Sequence, residues 1–444
     1  MPPRPSPLVF LIAGEPSGDA IGARLMAALR REHGSSLRFT GVGGERMAAM
    51  GFRSLFPMED ISVMGFAELV PALPRLAVRL RQTVAEARKA APDVVVGIDA
   101  KAFSLRVLGA LSADRQRNDE PLKGRKPGQP ALVQYVAPSA WAFCDAPRRA
   151  AKLSGTVDEL LALLPFEPPI FAAAGVHCTF VGHPAMDPDA DADADRESLR
   201  SSHTTAGEHW EAHKSSLCLL PGSRRQEVDA NLPLMLRAVG QVDLAGHGID
   251  RLLLPTPPSL RSLVEGHLSA AGEGAPPVKL LSDSERYGAY GSSRLALACC
   301  GTVNTELARA RVPQIALYRS TRLTSWLVRY VLRPTLTHAA LPNILNARRV
   351  SDTAGGDDAI EAAPDQSVVG FADGQIPELL FEDCTSESIA REARLLLSDA
   401  AAASRQVAAS AHALDDLVAE RCADGRPVPS TTLAARAILR HLPT

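Results

Sequence analysis

The chain has 444 residues, 46% of them hydrophobic, and a formal net charge of −2. That length and composition suggest two or three domains with real cores and exclude a disordered chain. The near-neutral balance excludes the strong positive field of a nucleic-acid binder, so no nucleic-acid partner is expected.

LVFLIA (8–13) reads as a buried strand. Residues 19–31 follow as a helix, with Ile21, Leu25, Met26 and Leu29 on one face. Residues 39–42 form a second strand, DVVVGID (93–99) a third, ALVQYV (131–136) a fourth and ELLALL (159–164) a fifth. This β-α order predicts a parallel sheet with helices on both faces. The acidic run DPDADADAD (187–195) then opens a low-complexity polar stretch. A second α/β series follows: SLCLL (216–220), RLLLP (251–255), VKLL (278–281), LALAC (295–299) and PQIALY (313–318). Residues 113–130 and 351–374 read as insertions. The expected fold class is α/β, with two doubly wound domains. Its boundaries are 1–186, a linker at 187–215, 216–384 and a helical tail at 385–444.

Seven cysteines form no CxxC pair, which reads as buried thiols in a reducing compartment. No apolar run reaches the ~18 residues that span a bilayer. Seven residues precede the first strand, too few for an ordinary signal or transit peptide. A soluble or peripheral protein is expected.

Ligands of open parallel sheets bind beyond the carboxyl ends of the strands. After the first strand stands GEPSGDAIG, with Glu15, Ser17 and Gly18. It is either a structural turn with a helix cap or a cradle for phosphate or hydroxyls. It is not the GxGxxG of a dinucleotide site. After the third strand, Asp99 is either a cap of the next helix or a base for an attacking hydroxyl. YVAPSAWAF (135–143), with Ser139, either lines a ligand wall or packs the domain; His183 in VGHPA either bonds the hinge or meets substrate.

In the second series, Gly222, Ser223 and Arg224 open a helix after a strand. Free amides and a guanidinium fork there suit a diphosphate; the plain alternative is an exposed basic helix start. Gly301 and Thr302 open another helix after LALAC, with Glu306 one turn in. That carboxylate either accepts ribose hydroxyls or joins a capping box with Thr302. Two stretches, 63–81 and 323–334, set apolar faces beside arginines, as either membrane-surface or ordinary amphipathic helices.

Taken in order, AGEPSGD, GVGGERM (41–47), MEDISVMGFAELVP (58–71), PDVVVGIDA (92–100), YVAPSAWA, LLPFE (163–167), FVGHPA (180–185), LLPGSR, GTVNTELA, LPNIL (341–345) and PELLFEDCT (377–385) resemble the lipid-A-disaccharide synthase family. The resemblance implies a GT-B-like fold, two Rossmann-like domains with the active site in the cleft. It implies an inverting transfer of 2,3-diacylglucosamine from UDP-2,3-diacylglucosamine to 2,3-diacylglucosamine 1-phosphate, giving a β-1,6 disaccharide and UDP. By resemblance, Asp99 is the general base. Gly222, Ser223, Arg224, Glu227, Gly301, Thr302, Glu306 and Asn343 hold the donor. Glu15, Ser17, Gly18, Met64 and Ser139 line the acceptor side. No cofactor and no divalent metal are implied, because amides and Arg224 carry the diphosphate charge. The family's membrane-borne substrates imply a peripheral enzyme on the cytoplasmic face; the polar insertions, unusual in a compact bacterial enzyme, keep an organelle (mitochondrion or plastid) open, and an oligomer is open too. Lys101 and Ala102 stand where the family has Pro-Asp, and Cys300 where it has Ser. The Lys101 change keeps open a catalytically weakened UDP-sugar-binding or membrane-scaffold paralogue, and a UDP-sugar epimerase on the same fold is a separate alternative.

Overall fold

The structure is a computed structural model that describes residues 6–34, 36–62, 66–117, 129–143, 145–187, 214–272, 276–319, 338–353 and 374–442. Met64, the acidic run beyond Asp187, most of both insertions and the arginine-edged stretch 323–334 lie outside the described residues. The chain forms two compact units, residues 1–188 with 417–444, and residues 189–416.

In the first unit the elements run β1 (Leu8–Ala13), α1 (Pro16–His33), β2 (Arg38–Val42), α2 (Glu45–Ala49), α3 (Phe66–Ala90), β3 (Val94–Ile98), α4 (Lys101–Arg117), β4 (Ala131–Tyr135), α5 (Ala146–Ala151), β5 (Glu159–Ala162), α6 (Glu167–Ala173) and β6 (Cys178–Phe180). Their strands form a parallel sheet in the order β2-β1-β3-β4-β5-β6. β1, β3 and β4 are buried along their whole length, which is why they read as unbroken apolar runs. Val9, Leu11, Val94 and Val96 face one core; Phe10, Ile12, Val95 and Leu132 face the other.

The second unit continues with β7 (Ser216–Leu220), α7 (Arg225–Val239), β8 (Arg251–Thr256), α8 (Arg261–Ala270), β9 (Val278–Ser282), α9 (Arg286–Ser292), β10 (Ser293–Cys299), α10 (Thr302–Arg309), β11 (Gln314–Tyr318), α11 (Leu341–Thr353), β12 (Glu378–Leu380), α12 (Ser386–Ser398) and α13 (Ala400–Asp415). Its parallel sheet runs β12-β11-β10-β7-β8-β9. This is the strand order 3-2-1-4-5-6 typical of dinucleotide folds.

The final helix, α14 (Ser430–Leu439), belongs to the first unit. Its Ala434, Ala435, Ala437 and Ile438 pack with Leu25 and Leu29 of α1. The helical tail expected over 385–444 is therefore divided. Ile389, Ala390, Ala393 and Leu397 of α12 close the second unit's core instead. Each helix has an apolar stripe, and a stripe does not say which sheet it will cover.

Asp187 makes the return to the first unit possible. Its buried carboxylate accepts from the Ser430 amide at 2.5 Å and hydroxyl at 3.1 Å, and from the Thr431 hydroxyl at 3.2 Å. It thus caps α14 from across the chain. Expected as the first residue of a solvated linker, Asp187 is instead a buried cap.

Candidate active site

Each sheet reverses its strand order once, between β1 and β3 in the first unit and between β7 and β10 in the second. Connections on the two sides of such a point leave the sheet toward opposite faces and open a crevice. Four of the loops singled out from the sequence follow these four strands; those with Ser139 and His183 follow β4 and β6.

In the first unit, Asp99 directly follows β3 and is half-buried. Asp99 and Ala100 both hold a positive φ, 53° and 22°. Such residues cost roughly 1–3 kcal/mol each and persist only where their surroundings over-determine them. The Asp99 amide donates to the Tyr135 carbonyl at 3.0 Å. Its carboxylate turns away from the start of α4 and accepts from the Ser17 hydroxyl at 2.9 Å. Asp99 is therefore not a helix cap. Gly18 permits this approach: a Cβ there would lie 3.1 Å from the Ile98 carbonyl oxygen. Glu15 is the residue before α1, and its carbonyl accepts from the Asp19 amide at 2.9 Å. Asp19 is buried and binds the amides of Gly44 (2.8 Å), Arg46 (2.9 Å) and Met47 (3.1 Å), so it locks the GVGGERM turn to this loop.

Ser139 opens a short turn at Ala140–Ala142. The aromatics around it pack the domain. Tyr135 is fully buried, and the Trp141 indole donates to buried Glu167 at 3.0 Å. His183 accepts from the Ala185 amide at 3.1 Å, and its own amide donates to Leu417. Burial, with Arg24 nearby, drops its imidazole pKa to about 4, so it stays neutral and bonds the crossover.

In the second unit, Gly222 has φ 129°, and a Cβ would lie 2.4 Å from that of Glu227. Only glycine fits there. The Glu227 carboxylate accepts from the amides of Ser223 (3.0 Å) and Arg224 (3.2 Å), and the Arg224 guanidinium lies 3.1 Å from its other oxygen. Of the Gly222 and Ser223 amides expected to stand open for a diphosphate, that of Ser223 is thus taken by a carboxylate of its own helix, as is the Arg224 amide. The half-exposed Arg224 fork remains available on the surface.

At α10 the cap is Asn304, whose side chain accepts from the Gly301 amide at 2.9 Å. Thr302 is exposed and opens the helix. Glu306 points to α9, where the Tyr290 hydroxyl donates to it at 3.2 Å and Arg286 lies 3.5 Å away. Burial raises its carboxyl pKa above the ordinary 4.5, against the pull of Arg286 and Tyr290. Asn343 is buried. Both its amide hydrogens are used, on Ile376 (2.9 Å) and Glu378 (2.8 Å), so it ties α11 to β12.

Sequence reading missed Gln134, Arg286 and Tyr290. Gln134 lies inside a buried strand, and the other two sit on a helix with no motif, so nothing local marks them.

Two parallel α/β units, each with polar loops at its reversal point, make a pair of Rossmann-like domains, the architecture of the GT-B class. The lipid-A-disaccharide synthetase family model matches residues 9–369, and the chain belongs to that family. It is 39% identical to the lipid-A-disaccharide synthase of Rhodospirillum centenum, over 90% of this chain and 87% of that one. It is 34% identical to an Arabidopsis thaliana protein named probable mitochondrial lipid-A-disaccharide synthase, over 90% and 81%. Among solved structures, a putative UDP-N-acetylglucosamine 2-epimerase from Listeria monocytogenes superposes with TM-score 0.56 at 14% identity, over 97% and 94% of the two chains. That likeness concerns the fold alone.

Proposed function

We propose that this chain joins two acylated glucosamines, with Asp99 of the first unit as base and the second unit as holder of the UDP donor. The Asp99 carboxylate takes the proton of the 6-hydroxyl of 2,3-diacylglucosamine 1-phosphate. That oxygen bonds to the anomeric carbon of UDP-2,3-diacylglucosamine from the face opposite the diphosphate. The anomeric C–O bond breaks and UDP leaves, so the new β-1,6 link is inverted. Arg224 and the first turns of α7 and α10 hold the diphosphate charge. Glu227 sets the geometry of that turn, and Glu306 takes the ribose hydroxyls. Asn343 supports the donor side from below. Gly222, Gly301 and Thr302 let the backbone approach; Glu15, Ser17, Gly18, Met64 and Ser139 form the acceptor side.

The observation that carries this reading is the left-handed bend at Asp99, which aims a half-buried carboxylate at the Ser17 hydroxyl instead of at a helix amide. Ser17 orients one oxygen and is the sole hydrogen-bond partner of that carboxylate among the described residues. Leu73 and Val78 are exposed apolar side chains of α3, the element we assign to the membrane bearing the lipid substrates. Arg79 is committed inward, 2.6 Å from Asp60. No described helix is long and apolar enough to cross a membrane.

The test is mass spectrometry of the products formed from both acylated substrates. Wild type yields the disaccharide and UDP. Asp99→Asn loses about 10²–10⁴-fold in kcat. Unreduced turnover in Asp99→Asn would remove Asp99 as the base.

A further inference from the structure

The bend that presents Asp99 is held by one side chain that touches no surface. Three residues without glycine's freedom adopt a positive φ at the ends of β3 and β4: Asp99 (53°), Ala100 (22°) and Val136 (72°). A β-branched residue there is a genuine outlier. Conformations of this kind need external support.

Gln134 supplies it. Its side chain is fully buried in β4. Its Nε2 donates to the Asp99 carbonyl at 3.2 Å and the Tyr135 carbonyl at 3.1 Å, with the Val136 carbonyl at 3.5 Å. Three carbonyls converge on one nitrogen, which leaves only this orientation of the amide. Its Oε1 accepts from the buried Ser104 hydroxyl at 2.9 Å. Ser104 also lies 3.1 Å from the Ala100 carbonyl, so the clamp reaches both strained residues after β3. Gly97, the register partner of Gln134, makes the room: a Cβ there would lie 2.4 Å from Oε1.

We propose that Gln134 is the positioning residue for the catalytic carboxylate: its amide pins the strained bend, and the bend aims Asp99. The inference rests on Asp99 being the base. Gln134 does not touch substrate. A buried apolar side chain of equal length would fill the volume but remove the one donor that the three carbonyls share. Asp99 would then relax toward ordinary backbone geometry and swing its carboxylate off line.

The test uses the full chain with Gln134→Met and Gln134→Glu, alone and with Asp99→Asn. Gln134→Met should lower kcat on the order of 10–100-fold, the cost of a misplaced reacting group. KM for the UDP donor and calorimetric affinity for UDP should stay at wild type, because the donor-holding residues lie in the other unit. In the Asp99→Asn background the same substitution should cost less than about three-fold, since residues acting as one unit are not additive. Gln134→Glu carries a signature that packing damage does not produce. As a neutral acid it keeps one donor; as a carboxylate it keeps none and faces carbonyl oxygens. Its kcat should therefore fall relative to wild type as pH rises. Should Gln134→Met fail to fold, that pH profile alone decides. Wild-type kcat in Gln134→Met, equal fractional losses in both backgrounds, or a Gln134→Glu profile parallel to wild type would each overturn the proposal. If Asp99→Asn itself turns over normally, the base assignment fails first and Gln134 has nothing to position.

Discussion

At the scale of single residues, Glu306 shows how a carboxylate is tuned by opposing neighbours. Burial disfavours its charge, and Asp283 adds a smaller push in the same direction. Arg286 and the Tyr290 hydroxyl favour the charge. Burial wins, so Glu306 takes up a proton at a higher pH than a free glutamate does. The sign for binding follows. If the carboxylate accepts the ribose hydroxyls, UDP affinity is full above the raised pKa and declines as pH falls through it. Removing Tyr290's hydroxyl removes one stabiliser of the charge. Tyr290→Phe should weaken UDP binding about ten-fold, the worth of a charge-assisted hydrogen bond. It should also begin to lose affinity at a higher pH than wild type. Calorimetric titration with UDP between pH 5 and 8 checks both. A Tyr290→Phe curve superposed on wild type would detach Glu306 from the ligand.

Among the elements, α14 depends on a cap supplied from far along the chain. Asp187 accepts from Ser430 and Thr431 and holds four hydrogen bonds in a buried place. Asp187→Ala leaves the Ser430 and Thr431 amides of α14 without that acceptor. It should cost about 2 kcal/mol in urea unfolding, combining a lost cap with stranded donors. Asp187→Asn, which keeps an acceptor, should cost less. The same element marks the limit of sequence reading. Strands such as Leu8–Ala13 and Ser216–Leu220 were legible to the residue, because burial on both faces demands an unbroken apolar run. Short β12 escaped, since three residues at a sheet edge carry no period. The division of the C-terminal helices escaped too, because alanine-rich stripes fit either sheet. At the site, glycine turns and Asp99 were visible as punctuation after strands. The state of the amides was not. That Glu227 and Asn304 already occupy those of Ser223, Arg224 and Gly301 depends on side-chain reach, which spacing does not encode. Gln134 looked like a polar interruption of a strand. Its meaning comes from register with Gly97 on the neighbouring strand β3, which is set by sheet pairing and not locally.

For the whole molecule, the two units have separate cores and should unfold as separate cooperative transitions. Scanning calorimetry should resolve two peaks. Asp187→Ala lowers the one that belongs to the first unit and so assigns it. UDP at a hundred times its Kd should raise the other by about 2.7 kcal/mol, if the donor is held by the second unit alone. A shift of both peaks together would mean that nucleotide binding draws on both units.

The return of residues 417–444 to the first unit also has a consequence for how the protein is made. Domains ordinarily fold in the order of their synthesis. Here residues 1–188 must wait for α14, made after the whole second unit, to cover Leu25 and Leu29 of α1. The second unit, uninterrupted, has its whole sequence earlier. On the ribosome the second unit can therefore finish folding before the first does, and the first carries an open apolar seam until α14 emerges.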